Sequence, residues 1–349
     1  MPKFHAENER IKRQYLTYLR QAKGQDEKSL DKVAAALRMF EDSTGAKPFK
    51  KFHIEQATRF KVYLDKARNN RTGKPLSHST VDSTLRQVKA FFAWLAWQPG
   101  FKSRISPADA EYFNNTMKNA RVAHAHRPAP HPSMQQCLRT FEAMPERNDY
   151  ELRDKALFAF FMLTGARDGA AASLRLKHVD LERRHVFQDG RGVNTKNAKS
   201  IDTWFFPVDS VFFECFSRWL RHLGEVRLFG PEDALFPKIE VENRDGAFVR
   251  AGFSREPYAT GAKFNEIIRG AFAVVQMPEY TPHSFSKTLA KQGDEVCNSM
   301  EQLKAWSMNL GHAHLATTVN SYIPVSRERQ AELLMGMRDL SRSAHRQSP

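Results

Sequence analysis

The segment from residue 281 to residue 325 reads TPHSFSKTLAKQGDEVCNSMEQLKAWSMNLGHAHLATTVNSYIPV and contains a potential covalent nucleophile, Tyr322. Two histidines precede it, His283 and His312. A tyrosine hydroxyl, with a pKa near ~10, is a poor nucleophile unless cations stabilise its anion or a base removes its proton. Basic residues around a phosphodiester would supply such cations and would also stabilise the charge that develops at phosphorus. The pattern raises the question of which cations the rest of the chain provides.

The charge balance of the chain is strongly basic. Its 349 residues have a formal net charge of +15 and a pI of about 9.8. Such a balance favours a polyanionic partner, most simply nucleic acid, although ribosome-associated and membrane-surface proteins share it. Residues 1–120 contain 23 Lys and Arg against 12 Asp and Glu, and the remainder contains 31 against 27. We therefore expect the first 120 residues to form a basic domain that clamps a DNA duplex.

Several protein classes are disfavoured. The beginning of the chain is charged throughout and lacks the apolar region of a secretory signal, and the densest apolar run, residues 156–163, is too short to span a bilayer. Cys137, Cys215 and Cys297 are odd in number and widely separated, so they predict neither a disulfide framework nor a zinc site. We expect all three to be buried small hydrophobic side chains in a reducing cytosol.

Helical periodicity dominates the first 120 residues. Apolar residues recur at three- and four-residue steps around residues 15–19, 30–40, 54–64 and, most clearly, 81–95. Linker composition follows at residues 118–132 (KNARVAHAHRPAPHP), which are rich in Pro, Ala and His. The sequence thus predicts three parts: a helical domain at residues 1–120, a linker at residues 121–132 and a second domain at residues 133–349. The linker histidines could bind a metal, but solvated side chains are the simpler interpretation; they are His124, His126 and His131.

The fourth helix of the first domain carries candidate DNA-contacting cations. We expect it to begin at an N-cap Ser79 or Thr80. Arg86 and Lys89 lie off its apolar face, where they would contact DNA phosphates or be ordinary solvated surface cations.

The second domain combines helices with a few strands. Helical periodicity covers residues 134–144, 152–163, 174–179, 211–223 and 261–272. Two strand-like segments, residues 185–187 and 203–208, flank a Gly-, Asn- and Lys-rich turn at residues 189–199. Residues 229–260 have weak periodicity and predict an extended loop. We expect a mainly α fold with a small β-sheet, of the α+β class.

Four motifs follow one another in the second domain, and together they resemble the tyrosine recombinases, the phage-integrase family. TGAR at residues 164–167 resembles the family's T-G-x-R box, and NTKNAKSIDTWFFPV at residues 194–208 resembles its lysine-bearing β-hairpin. TPHSFSKTLA at residues 281–290 resembles its H-x-x-R helix, and LGHAHLATTVNSYIPV at residues 310–325 resembles its L-G-H box with the nucleophilic tyrosine. Each motif alone is weak, whereas four in the right order are a strong signal. The resemblance implies a helical core-binding domain followed by a mixed α/β catalytic domain.

The resemblance also implies a role for each motif residue. Tyr322 would attack a DNA phosphodiester in line, leaving a 3′-phosphotyrosine link and a free 5′-hydroxyl. Arg167 would hold non-bridging phosphate oxygens with its planar guanidinium. A hairpin lysine would protonate the departing 5′-oxygen as general acid. Lys196 fits the T-K-x-x-K pattern and is our choice, with Lys199 as the alternative and as a DNA contact.

The two histidines complete the implied site. His283 would assist proton transfer from the tyrosine, and His312 would donate a hydrogen bond to the phosphate. His314 is a nearby alternative, but only His312 directly follows Leu-Gly. No metal or nucleotide cofactor is expected, because the phosphotyrosine bond conserves the energy of the broken linkage. The implied partner is double-stranded DNA with a specific recombination site, bound by a homo-tetramer in a bacterial cytoplasm, at the nucleoid.

The sequence departs from the family pattern at three points. Ser286 replaces the arginine of the H-x-x-R motif, Ala170 replaces an acidic residue, and ten positions separate His312 from Tyr322, one more than usual. Loss of a charge-assisted donor at a transition state commonly costs ~10²–10³ in rate. Lys287, a further candidate DNA contact, should project from a different helical face than Ser286.

Three functions remain open at this point. The first is a site-specific recombinase or integrase, with activity reduced by Ser286. The second is a relative of the type IB topoisomerases, which relaxes supercoils as a monomer. The third is a catalytically impaired DNA-binding protein. Residues 327–337 predict a C-terminal helix that docks on a neighbouring protomer or, as an equal alternative, on its own domain.

Overall fold

The computed structural model describes residues 5–70, 72–125, 130–244, 246–312, 330–332 and 334–335. The chain divides into two units, residues 1–126 and residues 127–349. The fold is mainly helical with small antiparallel sheets, as the sequence predicted. Within the described ranges, no helix combines the length and the apolar character that a membrane span requires.

The first unit is helical. Its α-helices are α1 (Ala6–Gln21), α2 (Glu27–Thr44), α3 (Ile54–Lys66), α4 (His78–Leu95) and α5 (Met117–His124). The predicted start of α4 was wrong by two or three residues, because the N-cap is Ser77, whose hydroxyl accepts a hydrogen bond from the Thr80 amide at 3.1 Å. Helix α5 runs into the segment that we expected to be an irregular linker; Thr116 caps it by accepting from the Asn119 amide.

An aromatic cluster forms the core of this unit. Its members come from α2, α3, α4 and the short turns between helices, and each is at most 7% exposed. They are Phe40, Phe49, Phe52, Phe60, Phe91, Phe92 and Phe113. Because aromatic rings bury large areas, this cluster dominates the stability of the first unit.

The second unit adds strands to helices. Its helices are α6 (Met134–Ala143), α7 (Asp149–Thr164), α8 (Asp168–Ser173), α9 (Ser210–Arg221), α10 (Ala262–Val274), α11 (Pro282–Val296) and α12 (Met300–Asn309). Its strands are β1 (Val179–Asp180), β2 (His185–Gln188), β3 (Ile201–Trp204), β4 (Ile239–Arg244) and β5 (Ala247–Phe253). The expected helix at residues 174–179 was wrong: a short 3₁₀ turn at Leu176–His178 leads directly into β1.

Helix α7 lies at the centre of the second unit. Every residue from Ala156 to Thr164 is buried, which follows from a helix that is apolar on all sides. The helix ends at Gly165, which adopts the left-handed conformation with φ of 60°. This positive φ favours glycine, and the next residues reverse the chain toward α8.

The strands form two sheets. Strands β1, β2 and β3 make an antiparallel sheet in which Gln188 pairs with Ile201 across the lysine-bearing turn. Strands β4 and β5 make a separate hairpin within residues 229–260, so the predicted extended loop was wrong. Both of these strands lack a buried face, and the alternation that identifies a strand in sequence is therefore absent.

The cysteines differ in their burial. Cys137 and Cys215 are buried, as predicted, and Cys297 is half-exposed, which corrects the expectation for the third cysteine. Cys297 follows the end of α11, where the chain leaves the core.

Candidate active site

The turn after α7 fixes the position of Arg167. The Thr164 hydroxyl donates to the Phe160 carbonyl at 2.7 Å and accepts from the Ala166 amide at 3.2 Å. A Cβ atom on Gly165 would lie 2.8 Å from Leu310 Cδ2, so the close approach of α12 also requires a glycine. Arg167 itself is half-buried and stands at the N-cap position of α8. The packing and hydrogen bonds of this turn therefore fix the backbone that carries the Arg167 side chain.

Helix α11 carries His283, which lines the same pocket as Arg167. Pro282 occupies its first turn, where the missing amide proton has no cost, and His283 follows with an exposed side chain. One turn later, the buried Ser286 hydroxyl donates to the Gly165 carbonyl at 2.8 Å. This bond ties α11 to the turn that carries Arg167.

The end of α12 positions His312. Gly311 has φ of 74° and its amide donates to the Met308 carbonyl at 2.8 Å, which ends the helix. The Asn309 side chain accepts from the Trp204 amide at 2.7 Å and donates to the Trp204 carbonyl at 2.8 Å, and so joins α12 to β3. His312 is buried at 8% exposure between these elements.

One small pocket collects side chains from all three places. Four of the predicted site residues line it, namely Arg167, His283, Ser286 and His312. The remaining lining residues are Thr164, Gly165, Ala166, Gln188, Ile201, Thr203, Asn309 and Leu310. The fold therefore brings together predicted site residues that lie up to 145 positions apart in the chain, from Arg167 to His312. An arginine and two imidazoles that face one pocket make a site suited to an anion.

The predicted lysines are not among the residues that line this pocket. Lys196 and Lys199 are exposed on the turn between β2 and β3, where Asn197 and Ala198 adopt positive φ angles of 60° and 51°. Lys199 lines an adjacent groove of about 1070 Å³, which also reaches His312. Tyr322, His314 and most of the predicted C-terminal helix lie outside the described residues.

The sequence did not identify two buried polar residues that line the pocket. Gln188 and Thr203 are buried on facing strands, and the Gln188 amide donates to the Thr203 hydroxyl at 3.0 Å. Their signal was present in the strands: each occupies the inward position of an alternating pattern, where an apolar residue is usual. A polar side chain at such a position indicates either a satisfied pair or a site.

The chain resembles known proteins in sequence and in fold. No protein-family profile matches the chain. The tyrosine recombinase XerC of Shewanella amazonensis (strain ATCC BAA-1098 / SB2B) is 26% identical over 175 residues, 50% of this chain. The match spans about half the length of that relative, 50% of its residues.

Solved structures share the fold. The Tn1549 transposon integrase in complex with transposon right end DNA matches over 94% of this chain and 99% of that chain, with a TM-score of 0.59 and 15% identity. A lambda integrase dimer bound to a COC′ core site matches over 91% and 96%, with a TM-score of 0.56 and 14% identity. XerH site-specific recombinase bound to difH substrate matches over 92% and 83%, with a TM-score of 0.55 and 15% identity. The chain therefore has the fold of these recombinase and integrase structures and resembles a tyrosine recombinase in sequence over half of its length.

The charge state of the two histidines follows from their surroundings. Burial, followed by the charges of Arg167 and His283, lowers the pKa of His312 to about 4. Desolvation by the surrounding protein, followed by the charges of Lys287 and Arg167, lowers the pKa of His283. Both imidazoles are therefore neutral near pH 7, and among the residues that line this pocket the positive charge comes from Arg167. A neutral imidazole can accept a proton or donate one hydrogen bond.

Lys287 is a neighbour of His283 on α11. It stands four residues after His283 on α11, and residues at that spacing share a helix face. After desolvation, the charge of Lys287 is the next cause of the lowered pKa of His283. The prediction that Lys287 projects away from Ser286 is compatible with this, because Ser286 points inward to Gly165.

The predicted DNA-contacting cations of the first unit have intramolecular partners. Arg86 pairs with Asp82 one turn earlier at 3.0 Å, and Lys89 pairs with Glu111 at 2.8 Å and with Asn114 at 2.9 Å. A DNA phosphate would have to compete with these partners. Throughout the described ranges, no cluster of three or more His, Cys, Asp or Glu side chains could hold a metal ion.

Proposed function

We propose that the chain is a site-specific DNA recombinase or integrase that cleaves and rejoins DNA through a 3′-phosphotyrosine at Tyr322. The observation that carries the proposal is the convergence of Arg167, His283 and His312 on one pocket from three distant segments. The similarity to a tyrosine recombinase and the position of Tyr322, ten residues after His312, support it further.

Each residue then has a role that its surroundings suit. Arg167 binds non-bridging oxygens of the scissile phosphate from a turn that is fixed on both sides. His283 is neutral near pH 7 and accessible, and accepts the tyrosine proton. His312 is neutral and buried, and donates one hydrogen bond to the phosphate. A hairpin lysine, Lys196 or Lys199, protonates the 5′-oxygen as the phosphorus–oxygen bond breaks.

The partner that we propose is double-stranded DNA. The formal net charge of +15 supports a polyanionic partner. The Tn1549 integrase, lambda integrase and XerH structures are each complexes with DNA, which supports the same partner here. Exchange of strands between two duplexes requires four active sites, so we propose a tetramer on DNA.

Covalent capture from a random pool of nicked duplexes tests the proposal even though the DNA site is undefined. A nick just beyond the scissile phosphate lets the short 5′-hydroxyl strand diffuse away, so cleaved DNA stays attached to Tyr322. We expect the full chain to retain one sequence class after denaturing washes, and Tyr322→Phe to retain none. Equal recovery with Tyr322→Phe, or no recovery with either protein, would remove the proposal.

Ser286 favours a second candidate, a DNA-binding relative with impaired catalysis. The Ser286 hydroxyl is bonded to Gly165, where the family pattern has an arginine for the phosphate. Sequence-specific DNA retention without any covalent adduct would support this candidate. A relative of the type IB topoisomerases would instead relax supercoiled plasmid that lacks the captured sequence, which a recombinase with a specific site leaves supercoiled.

A further inference from the structure

We propose that Lys287 supplies the second cation at the scissile phosphate, from the helical position next to the one where the family pattern has an arginine. The inference rests on the proposed function and assigns one more catalytic residue to it. Three observations carry it: the use of position 286, the position of Lys287 beside His283, and the lack of a carboxylate partner for Lys287 among the described residues.

The side chain at position 286 has a structural role. The Ser286 side chain is 7% exposed and donates to the Gly165 carbonyl, one of the carbonyls that α7 leaves unpaired at its end. Leu289 and Leu310 pack against the same glycine. A long charged side chain at 286 would lose this hydrogen bond. Because serine carries no charge, a second cation at the phosphate would have to come from another position.

Lys287 has the right place for this task. It lies one helical turn beyond His283, and such pairs have Cβ atoms about 5–6 Å apart on one helix face. A lysine side chain spans that distance, so its ammonium group can reach a phosphate that His283 also contacts. The charge of Lys287 already acts on His283, and the charge of Arg167 acts on both site histidines. Arg167 lines the pocket from the start of α8, and Lys287 stands on α11 directly after the pocket-lining Ser286.

Lys287 is a half-buried cation without an ion-pair partner among the described residues. Its side chain is half-buried, and burial lowers the pKa of its ammonium group. Among the described residues, no carboxylate lies within ion-pair distance of it. Asp168, whose charge raises the pKa of His283, accepts hydrogen bonds from the Gly169 amide at 2.9 Å and the Asn265 amide group at 2.7 Å. A phosphate would replace the hydration that Lys287 has lost.

Lys291 provides a contrast on the same helix. It lies one turn beyond Lys287, and its ammonium group is 3.6 Å from both Asp294 and Glu295. Its charge is therefore balanced within the protein. Lys291 is a matched control because substitution removes one positive charge from α11 without touching the proposed site.

The chemical step assigns no proton transfer to Lys287. The Tyr322 hydroxyl gives its proton to His283 and its oxygen forms a bond to phosphorus. The bond from phosphorus to the 5′-oxygen breaks, and the hairpin lysine gives that oxygen its proton. Lys287 stays protonated and donates a hydrogen bond to a non-bridging oxygen, on which negative charge grows in the transition state. Its loss should slow cleavage more than it weakens DNA binding.

Single-turnover cleavage of the captured nicked duplex tests the inference. We expect Lys287→Met to slow adduct formation ~100-fold and Lys291→Met to slow it less than ~3-fold, with DNA affinity within ~3-fold of the parent for both. Lys287→Arg should retain most of the rate, because it keeps a cationic donor. A methylphosphonate at the scissile position replaces a charged non-bridging oxygen by a methyl group, and should bring Lys287→Met close to the parent on that substrate.

The outcomes separate the inference from the proposed function. Adduct formation by the parent protein together with equal rates for the two methionine variants would overturn the role of Lys287 alone. A slow Lys287→Met that loses affinity to the same extent, or that methylphosphonate does not rescue, would also overturn it and leave an ordinary DNA contact. Absence of any Tyr322-dependent adduct from the parent would overturn both.

Discussion

The turn that carries Arg167 and the turn that carries the two hairpin lysines are held in opposite ways. Thr164, Gly165 and Ala166 are buried and bonded on both sides, to Phe160 within α7 and to Ser286 across the fold. Residues 196–200 are all exposed. The difference matches the chemistry, because a clamp must be preorganised around the phosphate, whereas a proton donor on a long flexible side chain needs only to reach one oxygen.

The largest expected effect on stability is that of Gly165→Ala, which tests how firmly the Arg167 turn is held. The substitution places a side chain at φ of 60° and a Cβ atom 2.8 Å from Leu310 Cδ2. We expect the free energy of unfolding to fall by roughly 2–4 kcal/mol, from backbone strain and overpacking together. Urea denaturation measures it. Gly192→Ala is the control in the lysine turn, where nothing lies within 4 Å of the added Cβ, and a similar loss there would break the comparison.

A pH dependence of stability should follow from the buried side of the site. His312 has a pKa of about 4 in the folded protein, below the ordinary value of 6.5, so the unfolded chain binds more protons between these values. The free energy of unfolding should therefore fall as pH drops from 6.5 to 4, with a contribution of roughly 2–3 kcal/mol from His312. The lowered pKa of His283 acts in the same direction.

Chemical denaturation at a series of pH values measures this slope. His312→Gln should reduce the slope and leave the part that belongs to His283. An imidazole of His312 that titrates near pH 6.5 in an NMR experiment would contradict the prediction.

Ser286→Ala should have a moderate effect. The Gly165 carbonyl would lose its donor at a buried position, which we expect to lower the free energy of unfolding by about 1–2 kcal/mol. Ser200→Ala is the matched control, since the Ser200 hydroxyl accepts from the Gly190 amide at 3.1 Å on the exposed turn, where water replaces it. Equal losses for the two variants would show that the Ser286 bond has no special weight.

The smallest effects on stability should come from the hairpin lysines. Lys196→Met and Lys199→Met should each change the free energy of unfolding by less than about 0.5 kcal/mol, because both side chains are exposed. Only the general acid should also slow adduct formation. Sulfur in place of the 5′-bridging oxygen leaves without a proton, and should rescue that variant alone. Rescue of neither variant would place the general acid elsewhere.

The sequence predicted most helices because their apolar residues face one core at regular steps. Helix α4 in the first unit has such a periodic apolar face. Helix α7 lacks the periodicity, because its second half is buried on all sides and is therefore a continuous apolar run. The hairpin of β4 and β5 was missed for the converse reason. Val241 and Phe248 are 59% and 79% exposed, so no buried face imposed a pattern on these strands.

The division of the site between sequence and structure has the same physical origin. The types and the order of Arg167, His283 and His312 were fixed by local motifs, and a motif needs only neighbouring residues to be recognised. What Ser286 does was decided by the tertiary structure, because its partner, the Gly165 carbonyl, lies 121 residues away. The neutral state of the histidines was decided there too, since burial and the charges of Arg167 and Lys287 depend on which elements pack together.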